Sequence, residues 1–254
     1  MEERQIEINN LAISYKVFGS GSKKMLVLHG WKSHSDRWQA TAELLVAHGM
    51  QVVVPDLPGF GKSQEPLNAW SQDNYVDWLR QFCTQVPELQ NSFYLLGHSF
   101  GGALAAKFAI KYPQNVEKLF LVSAACVRQM TFTKKALWRV SKIVKIFSFL
   151  PGWQLFKKAF YKFVLRKTDY LQVGGVMKET YLKVISEDLS HKINFLKVPV
   201  IIIWGSKDTS TPPEQAHFIN KKIYNSTLVM IPGANHSLQI EVSQVLAQHI
   251  LAHV

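Results

Sequence analysis

YLLGHSFGGALAAKFA, Tyr94 to Ala109, joins an apolar run to an alanine-rich helical segment through a His–Ser pair set between glycines. Gly97-His98-Ser99-Phe100-Gly101 reads as G-x-S-x-G, standing after a strand and opening a helix. A serine hydroxyl is a poor nucleophile and must stand clear of the backbone, where a base can reach it. A sharp strand-to-helix turn does this by holding the serine in a strained conformation, at which side chains on Gly97 or Gly101 would collide with neighbouring backbone. Gly102-Ala103 lets the helix pack closely on the sheet. Phe100 sits at the helix start, so its N–H is free to face developing negative charge.

Outward from this turn the chain alternates strand-like and helix-like segments. IEINNLAISYKVFG reads as a hairpin around Asn9-Asn10. MLVLHG, QVVVPD, FYLLGHS and KLFLVSAA are short apolar runs, separated by helical stretches at Arg37–His48, Asn74–Val86 and Phe100–Lys111. PVIIIWG and STLVMIPG repeat the pattern, with helices near Pro213–Asn220 and Val242–Ala252. Continuous apolar strands divided by helices indicate an α/β fold, a mostly parallel doubly wound sheet covered on both faces. From Thr131 to about Asp188 helical periodicity takes over. Leu137, Val140, Ile143, Val144 and Phe147 form an apolar stripe, Pro151-Gly152 breaks it, Trp153–Arg166 gives a second helix, and Val176–Ile185 a third. We therefore expect a core of residues 1–125 and 191–254 with a helical insertion at 126–190.

Two further loops follow strand ends. Asp208 comes after PVIIIWG and His236 after STLVMI, giving the order Ser, Asp, His that a nucleophile, its orienting acid and its base take on such sheets. His29-Gly30-Trp31 ends MLVLHG and offers the Trp31 N–H as a second donor to an oxyanion, with Gly30 permitting close approach. Asp56-Leu57-Pro58-Gly59-Phe60-Gly61-Lys62-Ser63 makes a tight turn after the next strand.

Taken together, H-G-W, D-L-P-G-F-G-x-S, G-H-S-F-G-G, W-G-x-x-D and G-x-N-H resemble the α/β-hydrolase fold superfamily, in the order of its motifs and over nearly the whole chain. The pattern is similar to that of cap-bearing bacterial serine esterases. The resemblance implies a carboxylic ester hydrolase with Ser99 as nucleophile, His236 as base, Asp208 as orienting acid, and Trp31 and Phe100 as backbone oxyanion donors. It implies a small-molecule ester substrate, no cofactor and no metal, and makes the 126–190 insertion a cap. A carbon–carbon bond hydrolase of the same fold, or a receptor that retains the three residues to bind a ligand, remains open as an alternative.

Other chemistries fit poorly. G-x-x-x-x-G-K-[ST] needs glycine where Asp56 stands, so Lys62-Ser63 does not complete a phosphate loop. No HExxH occurs, and His34-x-Asp36 is too slight for a metal site. His98 and His29 read as packing or hydrogen-bonding residues. Cys83 and Cys126 have no CxxC spacing and read as reduced structural thiols. MEERQIEINN lacks a signal-like apolar core and no run of about 18 apolar residues exists, so a cytoplasmic protein is expected.

The net charge of +11 is concentrated. Between Cys126 and Ser190 stand 13 Lys/Arg against 4 acids, which is +9 of the total. The insertion is either a helical unit with its solvated face outward or a surface for an anionic carrier or membrane. Nucleic acid is not expected, since no recognition motif accompanies the charge.

Overall fold

The computed structural model describes residues 1–127 and 175–254. The stripe at Leu137–Phe147 and the helix expected at Trp153–Arg166 lie outside the described residues, as do most of the insertion's cations.

Eight strands form one sheet: β1 (Glu2–Ile8), β2 (Leu11–Phe18), β3 (Lys23–Leu28), β4 (Met50–Pro55), β5 (Phe93–His98), β6 (Val116–Val122), β7 (Val200–Gly205) and β8 (Ser226–Ile231). Their spatial order is β1-β2-β4-β3-β5-β6-β7-β8. β2 runs antiparallel to both its neighbours, and every pairing from β4 to β8 is parallel. The β1–β2 hairpin turns at Asn9 (φ 54°) and Asn10 (φ 61°). A two-residue turn of that hand requires positive φ at both positions, which asparagine tolerates better than other side chains.

The helices of the described residues are α1 (Gln39–Val46), α2 (Gln72–Gln85), α3 (Phe100–Lys111), α4 (Gly175–Ser186), α5 (Pro213–Lys222), α6 (Leu238–Glu241) and α7 (Ser243–Leu251). They cover both faces of the sheet because the strands are apolar on both faces. Leu26, Leu28, Leu95, Ile202 and Trp204 join the core beneath α2, α3 and α5. Their neighbours Met25, Val27, Leu96, Ile201 and Ile203 join the core beneath α1 and α7. This is the period-2 alternation of a pleated strand. α2 begins two residues before the expected Asn74, because Ser71 Oγ caps it by accepting the Asn74 amide while the Ser71 amide donates to Asn74 Oδ1.

β3 is followed by a crossover to β4 on one side, whereas β5 is followed by a crossover to β6 on the other. Adjacent strands whose connections diverge in this way leave a crevice at their carboxyl ends, the usual ligand position in open α/β sheets. His29-Gly30-Trp31 leaves β3 there, and Ser99 leaves β5. α4 lies over the same edge: the Trp70 amide donates to Thr180 Oγ1 (3.0 Å), Gln72 Nε2 donates to the Val184 carbonyl (3.1 Å), and Lys107 pairs with Glu187 (2.6 Å).

Candidate active site

Ser99 adopts φ 52°, ψ −116° between the last residue of β5 and the first of α3. Such a conformation is costly for a side-chain-bearing residue and persists only where its surroundings leave no alternative. Here they leave none. The Ser99 amide donates to the Val122 carbonyl on β6, and the Ser99 carbonyl accepts from Gly102, Ala103 and Ala125. A Cβ on Gly97 would lie 2.3 Å from the Gly101 carbonyl oxygen, and one on Gly101 would lie 2.3 Å from the Leu28 carbonyl oxygen. The expected collisions are present, and they explain both glycines.

The structure brings Ser99, His236 and Asp208 together from three strand ends. His236 Nε2 is 3.0 Å from Ser99 Oγ, and His236 Nδ1 is 2.8 Å from Asp208 Oδ2. A carboxylate only accepts, so Nδ1 carries the proton and Nε2 presents a lone pair to the serine hydroxyl. Asp208 is itself fixed. The amides of Ser210 and Thr211 each donate to Oδ1 at 2.9 Å, and Thr211 Oγ1 donates to Oδ2 at 2.8 Å. Burial raises the Asp208 pKa, but the hydrogen bond from His236, its charge and the Thr211 donors outweigh that, holding it below the ordinary carboxylate range.

Gly205 makes the approach of His236 feasible. A Cβ there would stand 2.2 Å from the Asn235 carbonyl oxygen, so the loop carrying His236 crosses the end of β7 at backbone contact distance. His98, one residue before the serine, turns away and donates from Nε2 to the His236 carbonyl (2.9 Å). His29 accepts the Leu57 amide at Nε2 (2.9 Å), so its Nδ1–H faces the Gly30 carbonyl (2.8 Å). Both histidines brace loops, as their sequence context suggests.

The amides of Trp31 and Phe100 have no acceptor among the described residues. The rings of the same two residues meet edge-on at 5.4 Å, and Phe60, Tyr75 and Tyr181 complete an aromatic cluster around them. That packing fixes the two peptide groups relative to Ser99.

A cavity of about 160 Å³ reaches Ser99, lined by Phe100, Ala103, Ala125, Tyr181, Val184 and Ile185 among others. A second, of about 230 Å³, also reaches Ser99 and is lined by His98, His236, Lys32 and Arg37 among others. Trp138, Phe147, Trp153, Phe156 and Phe160, the insertion's aromatics that could line a pocket, lie outside the described residues. α4 supplies the described pocket wall instead. Its buried face at Met177, Thr180 and Val184 follows i, i+3, i+7 spacing, which marks a helix but not what it covers. Ser210 and Thr211 also escaped sequence reading. A hydroxyl and two amides just after an aspartate are the usual ingredients of a side-chain-capped turn, and that was the available signal.

The Asp56 turn is not a phosphate cradle. Asp56 occupies it, accepting the amides of Ser35 (2.6 Å) and Lys62 (2.9 Å), with Oδ2 2.2 Å from where a Gly61 Cβ would sit. Among the described residues no group of His, Cys, Asp and Glu is arranged to hold a metal ion.

The sheet order, the strained serine and the crevice define an α/β hydrolase. The chain belongs to the serine aminopeptidase S33 family, whose profile matches residues 20–243. It is 25% identical to lipase 1 of Psychrobacter immobilis over 85% of this chain and 72% of that protein. It is 26% identical to the monoacylglycerol lipase ABHD6 of Bos taurus, over 95% of this chain and 78% of that one. A bacterial membrane phospholipase A structure, described as a virulence factor, superposes with a TM-score of 0.77 at 22% identity, covering 99% of this chain and 84% of that one. No described helix is long and apolar enough to cross a membrane.

Proposed function

We propose that the protein is a serine hydrolase that cleaves carboxylic esters through an acyl-enzyme. The observation that carries this reading is the pair of contacts at His236, 3.0 Å to Ser99 Oγ and 2.8 Å to Asp208 Oδ2, made by a serine held at φ 52°. The lipase names of the relatives at about a quarter identity support the ester as substrate class.

In this mechanism Ser99 Oγ attacks the ester carbonyl while its proton passes to His236 Nε2. Asp208 keeps Nδ1 protonated and stabilises the imidazolium that forms. The carbonyl oxygen, now an oxyanion, accepts from the Trp31 and Phe100 amides, each donor contributing about 3 kcal/mol. Collapse of the tetrahedral intermediate breaks the ester C–O bond, and His236 returns its proton to the departing alcohol. Water then attacks the acyl-enzyme with His236 again as base, releasing the acid and restoring the Ser99 hydroxyl. Every proton passes through His236, and this sequence needs no cofactor.

The test is rapid-mixing hydrolysis of nitrophenyl esters of graded acyl length. A stoichiometric burst followed by many turnovers, absent in Ser99→Ala, is expected. A single slow turnover would instead indicate a ligand receptor. Preferential cleavage of a vinylogous diketone over every ester would indicate carbon–carbon bond hydrolysis.

A further inference from the structure

The two cavities beside Ser99 differ in chemistry, and His236 separates their roles. Both reach Ser99 and Trp31. The one beneath α4 has no charged residue in its described lining and does not include His236, whereas the other is lined by His236 together with Lys32, Ser33, Arg37, Ser237 and Gln239. Given the ester hydrolase reading above, on which this inference rests, the leaving alcohol must lie where His236 can protonate it. The acyl group then falls to the uncharged side and the alcohol to the side that carries cations.

We propose that this second cavity is a leaving-group subsite for an alcohol carrying an anion, a phosphate or a carboxylate, recognised principally by Arg37. Arg37 and Lys32 line it and no carboxylate does among the described residues, and since Lys32 has a partner of its own, Arg37 is the recognising cation. Arg37 shares a neighbouring cavity with Asp36 and Glu43, but the acids of the flanking elements are engaged elsewhere: Glu43 accepts from Gln39 Nε2 at 2.8 Å. Asp36 pairs with Lys16 and His34, and Glu241 accepts the amides of Asn235 and Ser237. Arg37 has no ion pair among the described residues and is exposed, at the last turn of a short 3-10 helix whose Trp38 is buried. A planar guanidinium with five donors suits a bidentate oxyanion, and the adjacent Ser33 adds a hydroxyl to the same wall. The substrate class that follows is an acyl ester of a small anionic alcohol, apolar on one side of the scissile bond and negatively charged on the other.

Two experiments separate this inference from the reading beneath it. The first needs no turnover: calorimetric titration of wild type and Arg37→Gln with glycerol 3-phosphate, glycerate and glycerol. Wild type should bind at least one of the two anions and not glycerol, and Arg37→Gln should weaken that binding about tenfold. Which anion binds tighter assigns phosphate or carboxylate. Equal weak binding of all three, or no effect of Arg37→Gln, overturns the subsite whether or not esters are cleaved. The second compares kcat/KM for one acyl chain esterified to glycerol 3-phosphate and to glycerol. The anionic preference should fall about tenfold in Arg37→Gln and shrink as salt rises. Lys222→Gln, a surface control on α5, should leave it unchanged. A preference insensitive to Arg37 overturns the proposal. Anion binding without any ester cleavage would keep the subsite and overturn the esterase reading.

Discussion

Asp208 is held by more than its partner histidine. Two amides and the Thr211 hydroxyl fix its oxygens, so the imidazole meets a carboxylate that cannot rotate. Replacing Asp208 by Asn should preserve the fold but favour the wrong imidazole tautomer, lowering kcat on a nitrophenyl ester by about 10⁴-fold. Thr211→Val removes one donor to a charged group and should lower kcat by about tenfold. The same change moves the Asp208 carboxyl upward toward its ordinary range. At this scale the sequence spoke unevenly. Ser99, Asp208 and His236 were legible because each follows an apolar strand. Thr211 was not, because a threonine in a loop looks the same whether it holds a carboxylate or faces water.

Elements were legible where a local signal sets them. α3 starts and ends as its pattern predicts, and the asparagine pair turns the first hairpin. Legibility failed where the deciding contact is distant in the chain. Nothing near Gly205 announces that the loop 30 residues later will cross it, yet that contact is what delivers His236. Gly205→Ala would put a methyl 2.2 Å from the Asn235 carbonyl oxygen. Backbone must move, so overpacking should cost roughly 1–3 kcal/mol of stability. The displaced histidine should cost activity out of proportion. Urea midpoints and kcat measured on the same preparation check this; a destabilised variant with wild-type kcat would contradict it. Likewise, the buried stripe of α4 shows that the helix is covered, but only the fold shows that its Tyr181, Val184 and Ile185 wall the cavity beside Ser99.

Across the whole molecule, the two bracing histidines set the response to acid. Burial chiefly pushes the His29 imidazole down to about 4 and the His98 imidazole down to about 3, the neighbouring His236 adding to the second. An unfolded chain holds both near 6.5, so on acidification it takes up protons that the folded chain refuses. Their contribution is complete above about pH 6.5 and is lost progressively as pH falls toward 4 and 3. By pH 5 the loss should be about 2 kcal/mol for each. Urea unfolding at pH 7, 6 and 5 should show falling midpoints, with a shallower decline in His98→Asn; a flat profile would contradict this linkage. The account's central claim is that His236, oriented by Asp208, makes Ser99 a nucleophile. Fluorophosphonate labelling with peptide mapping tests it most directly, timed in wild type and His236→Ala. The adduct should sit on Ser99 and form about a thousandfold more slowly without the imidazole. An adduct on another residue, or equal labelling of both proteins, would contradict it.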